Sequence, residues 1–182
     1  MSYVQASRSE IQDGITIGKV LSNARMLKSM MDGELQREAF EMRKEEIIES
    51  QRVQLLEGKA SSGKDLRPYY SEDLKPRGYF HTKESAGRYA AWKGSLSYPV
   101  SVQRNADAPN LYITGVFHSD LSVGFGTEKI HILPETNYAA GIMAKYGVEN
   151  FGLTDERWSV VIRRDGGVAD TLITKMREVL CS

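Results

Sequence analysis

Apolar and polar positions change period along this chain, and the changes divide it into elements. Residues 15–32 carry Ile17, Val20, Leu21 and Met26 at helical spacing, which predicts a helix ended by Gly33. Residues 34–57 repeat Phe40, Ile47, Ile48 and Leu55 on one face between acidic and basic residues. That pattern predicts one long amphipathic helix with a solvated charged face, ~36 Å long at about 1.5 Å per residue. Thr82 can cap a shorter helix at 83–93, where Ala86, Tyr89, Ala90 and Lys93 share a face.

The period then falls to two. Leu121 and Val123 alternate with Asp120 and Ser122, and Ile130 and Ile132 alternate with Lys129 and His131. Strands are expected at 119–124 and 128–133, joined through the short turn that holds Gly124 and Gly126 and ended by Pro134. Helical spacing returns at 136–146, with Tyr138 and Tyr146 on one face and Gly147 as the stop. A further helix starts after Thr154, with Asp155 and Glu156 in its first turn and Trp158, Val161 and Ile162 as its apolar face. A last one at 168–180 has a stripe of Val168, Leu172, Met176 and Val179. The expected fold class is α+β: a long N-terminal helix packed on a small antiparallel sheet, with closing C-terminal helices.

Two segments break the pattern. Residues 1–14 are polar and mixed, the composition of an arm, so residues 1–33 are read as an arm and helix ahead of a domain at 34–182. Residues 58–80 are rich in Gly, Pro, Ser and Asp, yet hold Tyr69, Tyr70, Tyr79 and Phe80. A loop this long is docked on something or disordered, and its aromatic rings favour docking, with Tyr69, Tyr70 and Phe80 as contacts to another chain. Residues 98–110 read as extended chain and turns.

Composition narrows the classes. The 182 residues balance 24 Lys and Arg against 24 Asp and Glu, so bulk electrostatics offers no grip on DNA. A single cysteine, Cys181, allows no internal disulfide and suits a reducing compartment. The stretch "MSYVQASRSEIQDG" lacks the apolar core of a signal peptide, and no apolar run approaches the ~18 residues of a membrane span.

Candidate chemistry centres on "LYITGVFHSDLSVGFG", residues 111–126, where His118, Ser119 and Asp120 are adjacent. With Leu121, Val123, Ile130 and Ile132 facing the core, Asp120, Ser122 and His131 share the outer face, and His118 can join them. A catalytic triad needs a strained serine turn, a buried carboxylate and an oxyanion hole, which an open strand face does not offer. Two His and one Asp are a conceivable metal set. The simpler reading is a wet face, or one covered by a partner, with Asp120, Ser122 and His131 as interface residues. His81 reads as a solvent-facing or capping residue, and Trp92 and Trp158 as core anchors. "SSGK" lacks the preceding strand and glycine spacing of a phosphate loop.

Several of these stretches together resemble the tailed-bacteriophage head–tail joining, or tail-completion, family. They are Thr114-Gly115, Ser119 to Leu121, Ile130 to Ile132, Tyr138-Ala139 and Tyr146-Gly147. The resemblance spans about residues 34–180. "EGKASSGKDLRPYYSED" and "KYGVENFGLTDERW" are similar to versions carried by phages of gut Bacteroidales, crAss-like phages included. The Arg-Pro-Phe element of many members is absent, "ENFGLTDERW" stands in its place, and residues 1–33 have no counterpart.

The resemblance implies a long helix across a small sheet, no catalytic residues, no cofactor and no metal. It also implies a homo-oligomeric ring in the virion, between portal or adaptor and tail proteins, with DNA only as passing cargo, no membrane, and assembly in the host cytoplasm. Two alternatives stand beside it: a virion-associated or host-interacting binding module without a ring, and an enzyme using His118, Asp120 and His131.

Overall fold

The computed structural model describes residues 33–70, 80–126, 129–147 and 151–181, together with positions 18, 21, 22 and 25. The rest of the arm and helix expected at 1–33, the part of the loop at 71–79 and the hairpin tip at 127–128 lie outside the described residues. The fold is mixed helix with a small two-stranded antiparallel sheet and helices at the C-terminus. No helix among the described residues is long and apolar enough to cross a membrane.

The chain forms two compact units, Met1–Met42 with Ile162–Ser182, and Arg43–Val161. In the first, α1 (Glu34–Glu41) packs against α7 (Val168–Cys181). Leu35 and Ala39, one turn apart, are buried on α1, and Val168 and Thr171 on α7. Glu38 and Lys175 pair at 2.6 Å. Leu172, Met176 and Val179 of the expected stripe are half-buried.

The second unit begins with α2 (Lys44–Leu56). The single long helix expected over 34–57 is therefore two helices. Arg43 leaves helical geometry at φ −109 and ψ 13, and the apolar stripe changes face at that point. Ile47, Ile48, Leu55 and Leu56 of α2 are buried, and so are Gln51 and Gln54. Helix α2 ends at Gly58, whose φ of +72 allows its N–H to reach the Leu55 carbonyl at 3.0 Å. A Cβ there would sit 3.0 Å from the Ala108 Cβ, so a side chain would also be crowded.

Helix α2 packs on β1 (Leu121–Phe125), which pairs with β2 (Ile130–Pro134). In register, Val123 lies opposite Ile132, and Gly124 opposite His131. Leu121, Val123 and Ile132 are buried while Gly124, His131 and Leu133 are exposed, so the inward and outward faces are those the alternation predicted. Strand β1 starts two residues later than expected. Residues 116–119 form the single helical turn α4 (Val116–Ser119) instead.

The remaining helices of this unit are α3 (Lys83–Gly94), α5 (Ala139–Tyr146) and α6 (Asp155–Ile162). Thr82 caps α3, accepting from the Ser85 N–H at 3.2 Å. Thr154 accepts from the Arg157 N–H at 3.4 Å, as the capping pattern predicted. Segment 152–154 is held by the two buried glutamines. Gln54 donates to the Gly152 carbonyl at 2.7 Å and accepts from the Thr154 N–H at 2.9 Å, while Gln51 accepts from the Gly152 N–H at 2.9 Å.

Candidate functional site

The His118-Ser119-Asp120 run is a structural corner. His118 and Ser119 close the α4 turn, and Arg52 of α2 donates to both their carbonyls, at 2.8 and 3.4 Å. The Ser119 hydroxyl donates to the Val116 carbonyl. His118 points inward and is 5% exposed. It does not join Asp120 and His131, which are exposed, because the helical turn rotates it off the strand period. Among the described residues, no three His, Cys, Asp or Glu form a metal-holding group. On the outer face Ser122 donates to the Leu133 carbonyl at 3.2 Å, which ties the hairpin together.

The aromatic residues of the loop contribute inside the chain. Tyr69 is 6% exposed and packs edge-on against Tyr89 at 5.1 Å and Phe80 at 6.4 Å. Its ring was expected to contact another chain, and the aromatic face of α3 covers it instead. Tyr70 and Phe80 are half-buried. The preceding residues are also ordered. Lys59 and Asp65 bridge across a tight turn with an ion pair at 2.6 Å, and Leu66 is buried. Trp92, expected as a core anchor, is 46% exposed and lies against Tyr89, while Trp158 is half-buried.

These rings border a cavity of about 570 Å³ within the second unit. Tyr69 and Tyr89 form one wall. Tyr138, Ile142 and Tyr146 form another, and Phe117 lines it from α4. Segment 109–115 completes the lining with two unusual backbone conformations. Leu111 has φ 54, a left-handed conformation uncommon outside glycine. Gly115 has φ 88, and a Cβ there would lie 3.3 Å from the Tyr112 ring. That close approach gives Thr114-Gly115 a physical reason.

Among the described residues, one charged side chain lines this space. Lys93, on the apolar face of α3, is 2% exposed. Burial, with a smaller push from the positive Arg104, lowers its pKa from 10.5 to about 8. Arg104 itself donates to the Ala108 carbonyl at 2.8 Å and lies over the Tyr98 ring. Behind the cavity, His118 Nε2 lies 2.9 Å from the Asn110 carbonyl. A carbonyl only accepts, so Nε2 carries the proton and Nδ1 is a bare acceptor without a partner among the described residues. Burial drives the His118 pKa down to about 4, partly offset by that hydrogen bond, with Lys93 and Arg52 adding to the fall. The Tyr69 hydroxyl is buried, and burial raises its pKa despite the opposing charge and hydrogen bonding of the nearby Arg104.

Sequence reasoning placed Lys93 on the correct face of α3 but attached no chemistry to it. The available signal was a lysine continuing an Ala-Tyr-Ala stripe, where a solvated face would put it elsewhere. No protein-family model, curated protein or solved structure matches the chain.

Proposed function

We propose that the chain is a structural subunit of a tailed-phage particle. Copies of it close into a ring at the head–tail junction, sealing the DNA channel and joining adjacent rings. The observation that carries this reading is the isolated hairpin. Its sheet has two strands, and neither pairs with a third among the described residues. A strand edge of this kind accepts another strand through backbone hydrogen bonds. When the added strand or arm belongs to the next copy, the contact is head-to-tail, and repetition closes a ring if the rotation allows it. Each subunit then holds two neighbours at once, so a modest contact suffices.

The motif resemblance supports the same reading, and so does the neutral balance of charges, which leaves DNA as cargo rather than ligand. The reading assigns the chain no catalysis, cofactor or metal. A binding module without ring formation is the second reading, and the lysine-bearing cavity favours it.

The test is substitution on the exposed outer face of β2. His131→Glu with Leu133→Lys should leave the isolated chain folded and stop its incorporation, giving heads that package DNA but carry no tails. Normally tailed particles containing the double variant would count against the ring.

A further inference from the structure

The cavity holds a lysine for which no carboxylate is in reach among the described residues. Among the described residues Lys93 has no side-chain hydrogen bond or ion pair, and neither Asp nor Glu lines the space. The nearby titratable groups make matters worse for it. Arg104 is positive, and His118 is buried beside two cations. Burying an ammonium without a partner is expensive, and large ordinary cores avoid it by placing an apolar residue or a paired one at such a position. Tyr69 lies on the same lining, its hydroxyl buried beside the positive Arg104. The left-handed Leu111 adds backbone strain at the same wall, of the kind that gathers at binding sites.

We propose that this cavity is a binding site for a small amphiphilic carboxylate, whose apolar body fills the aromatic walls and whose carboxylate pairs with Lys93. The volume of about 570 Å³ lies within the range of small-molecule sites. The walls of Tyr89, Phe117, Ile142 and Tyr146 suit a chain or ring. Among the described residues the lining offers one charged group, the Lys93 ammonium, which matches a monoanion. A phosphate wants several converging donors or a guanidinium fork, and among the described residues the lining holds one charged donor, Lys93, and no arginine. This inference goes beyond the ring reading and stands independently of it, since the cavity lies within one chain.

Calorimetric titration of the full chain with sodium octanoate tests it, with 1-octanol and octyl phosphate as companions of equal chain length. A charge-assisted hydrogen bond in a desolvated site is worth about tenfold or more in affinity. Octanoate should therefore bind at least about tenfold more tightly than 1-octanol, and more tightly than octyl phosphate. Lys93→Met should bind both octanoate and 1-octanol, without preference. Should that variant fail to fold, Ile142→Trp fills the apolar end and should weaken both ligands together.

Absence of octanoate binding overturns the proposal, as does equal affinity for octanoate and 1-octanol in the native chain. Tighter binding of octyl phosphate overturns the assignment to a carboxylate. A further control removes the two carboxylates in the sequence between Tyr70 and Phe80, with Glu72→Gln and Asp73→Asn. If octanoate binds only to that variant, the chain supplies its own anion and the proposal falls.

Discussion

Replacing Lys93 with methionine should make the protein more stable at neutral pH. The ordinary lysine pKa of 10.5 falls to about 8 in the folded chain, first through burial and then through Arg104. A base with a depressed pKa binds its proton more weakly when folded, so the unfolded chain holds more protons between pH 8 and 10.5. Stability therefore rises with pH across that window, and the penalty is fully present below pH 8. At about 1.4 kcal/mol per pH unit the full shift corresponds to roughly 3 kcal/mol. The ammonium borders a cavity that water can enter, and screening there reduces the expected penalty to about 1–2 kcal/mol.

Methionine keeps the unbranched shape and drops the charge, at a cost below about 1.5 kcal/mol for its altered packing. Urea unfolding of both proteins, followed by tryptophan fluorescence at pH 6 to 10.5, reads the difference. The gap should be widest at and below pH 8 and should close as pH approaches 10.5. A Lys93→Met protein that is less stable at pH 7, by an amount independent of pH, would refute the reasoning. It would mean that the folded chain provides the ammonium with a counter-charge.

Three other outcomes follow from the same geometry. His118, neutral when buried with a pKa of about 4 against an ordinary 6.5, should cost stability as pH falls through 6.5 toward 4, by roughly 3 kcal/mol in total. His118→Gln should flatten that part of the curve in acid unfolding. Gln54→Ala leaves the Gly152 carbonyl and the Thr154 N–H without their partner, and chemical denaturation should show a loss of about 2–4 kcal/mol. Gly58→Ala places a Cβ 3.0 Å from Ala108 at φ +72, so its melting midpoint should fall, by about 1–3 kcal/mol of stability.

The hairpin was legible because a period of two with one face buried admits one register. A slip of one residue would send Val123 and Ile132 into water. The caps at Thr82 and Thr154 were legible for a similar reason, since each signal is local and satisfied within three residues. The break at Met42–Arg43 was not, because good helix formers run through it and the change of buried face is decided by tertiary packing. The burial of Gln51 and Gln54 leaves no local signal, for their partners are backbone groups about a hundred positions away. The His118-Ser119-Asp120 run misled for a related reason. Adjacency in sequence is not adjacency of side chains once a helical turn intervenes. Lys93 shows the limit most plainly. Its face was predictable, whereas its isolation from any acid among the described residues depends on the course of segment 98–115, which has no period to read.

The most direct test of the ring account is an electron cryo-microscopy reconstruction of the portal vertex in particles that carry this chain. The account predicts a closed ring of copies between head and tail, with each β1–β2 hairpin paired along its free edge to a neighbour's strand or arm. A complete head–tail junction without a ring of this chain, or a ring in which the hairpin edges face solvent, would contradict it.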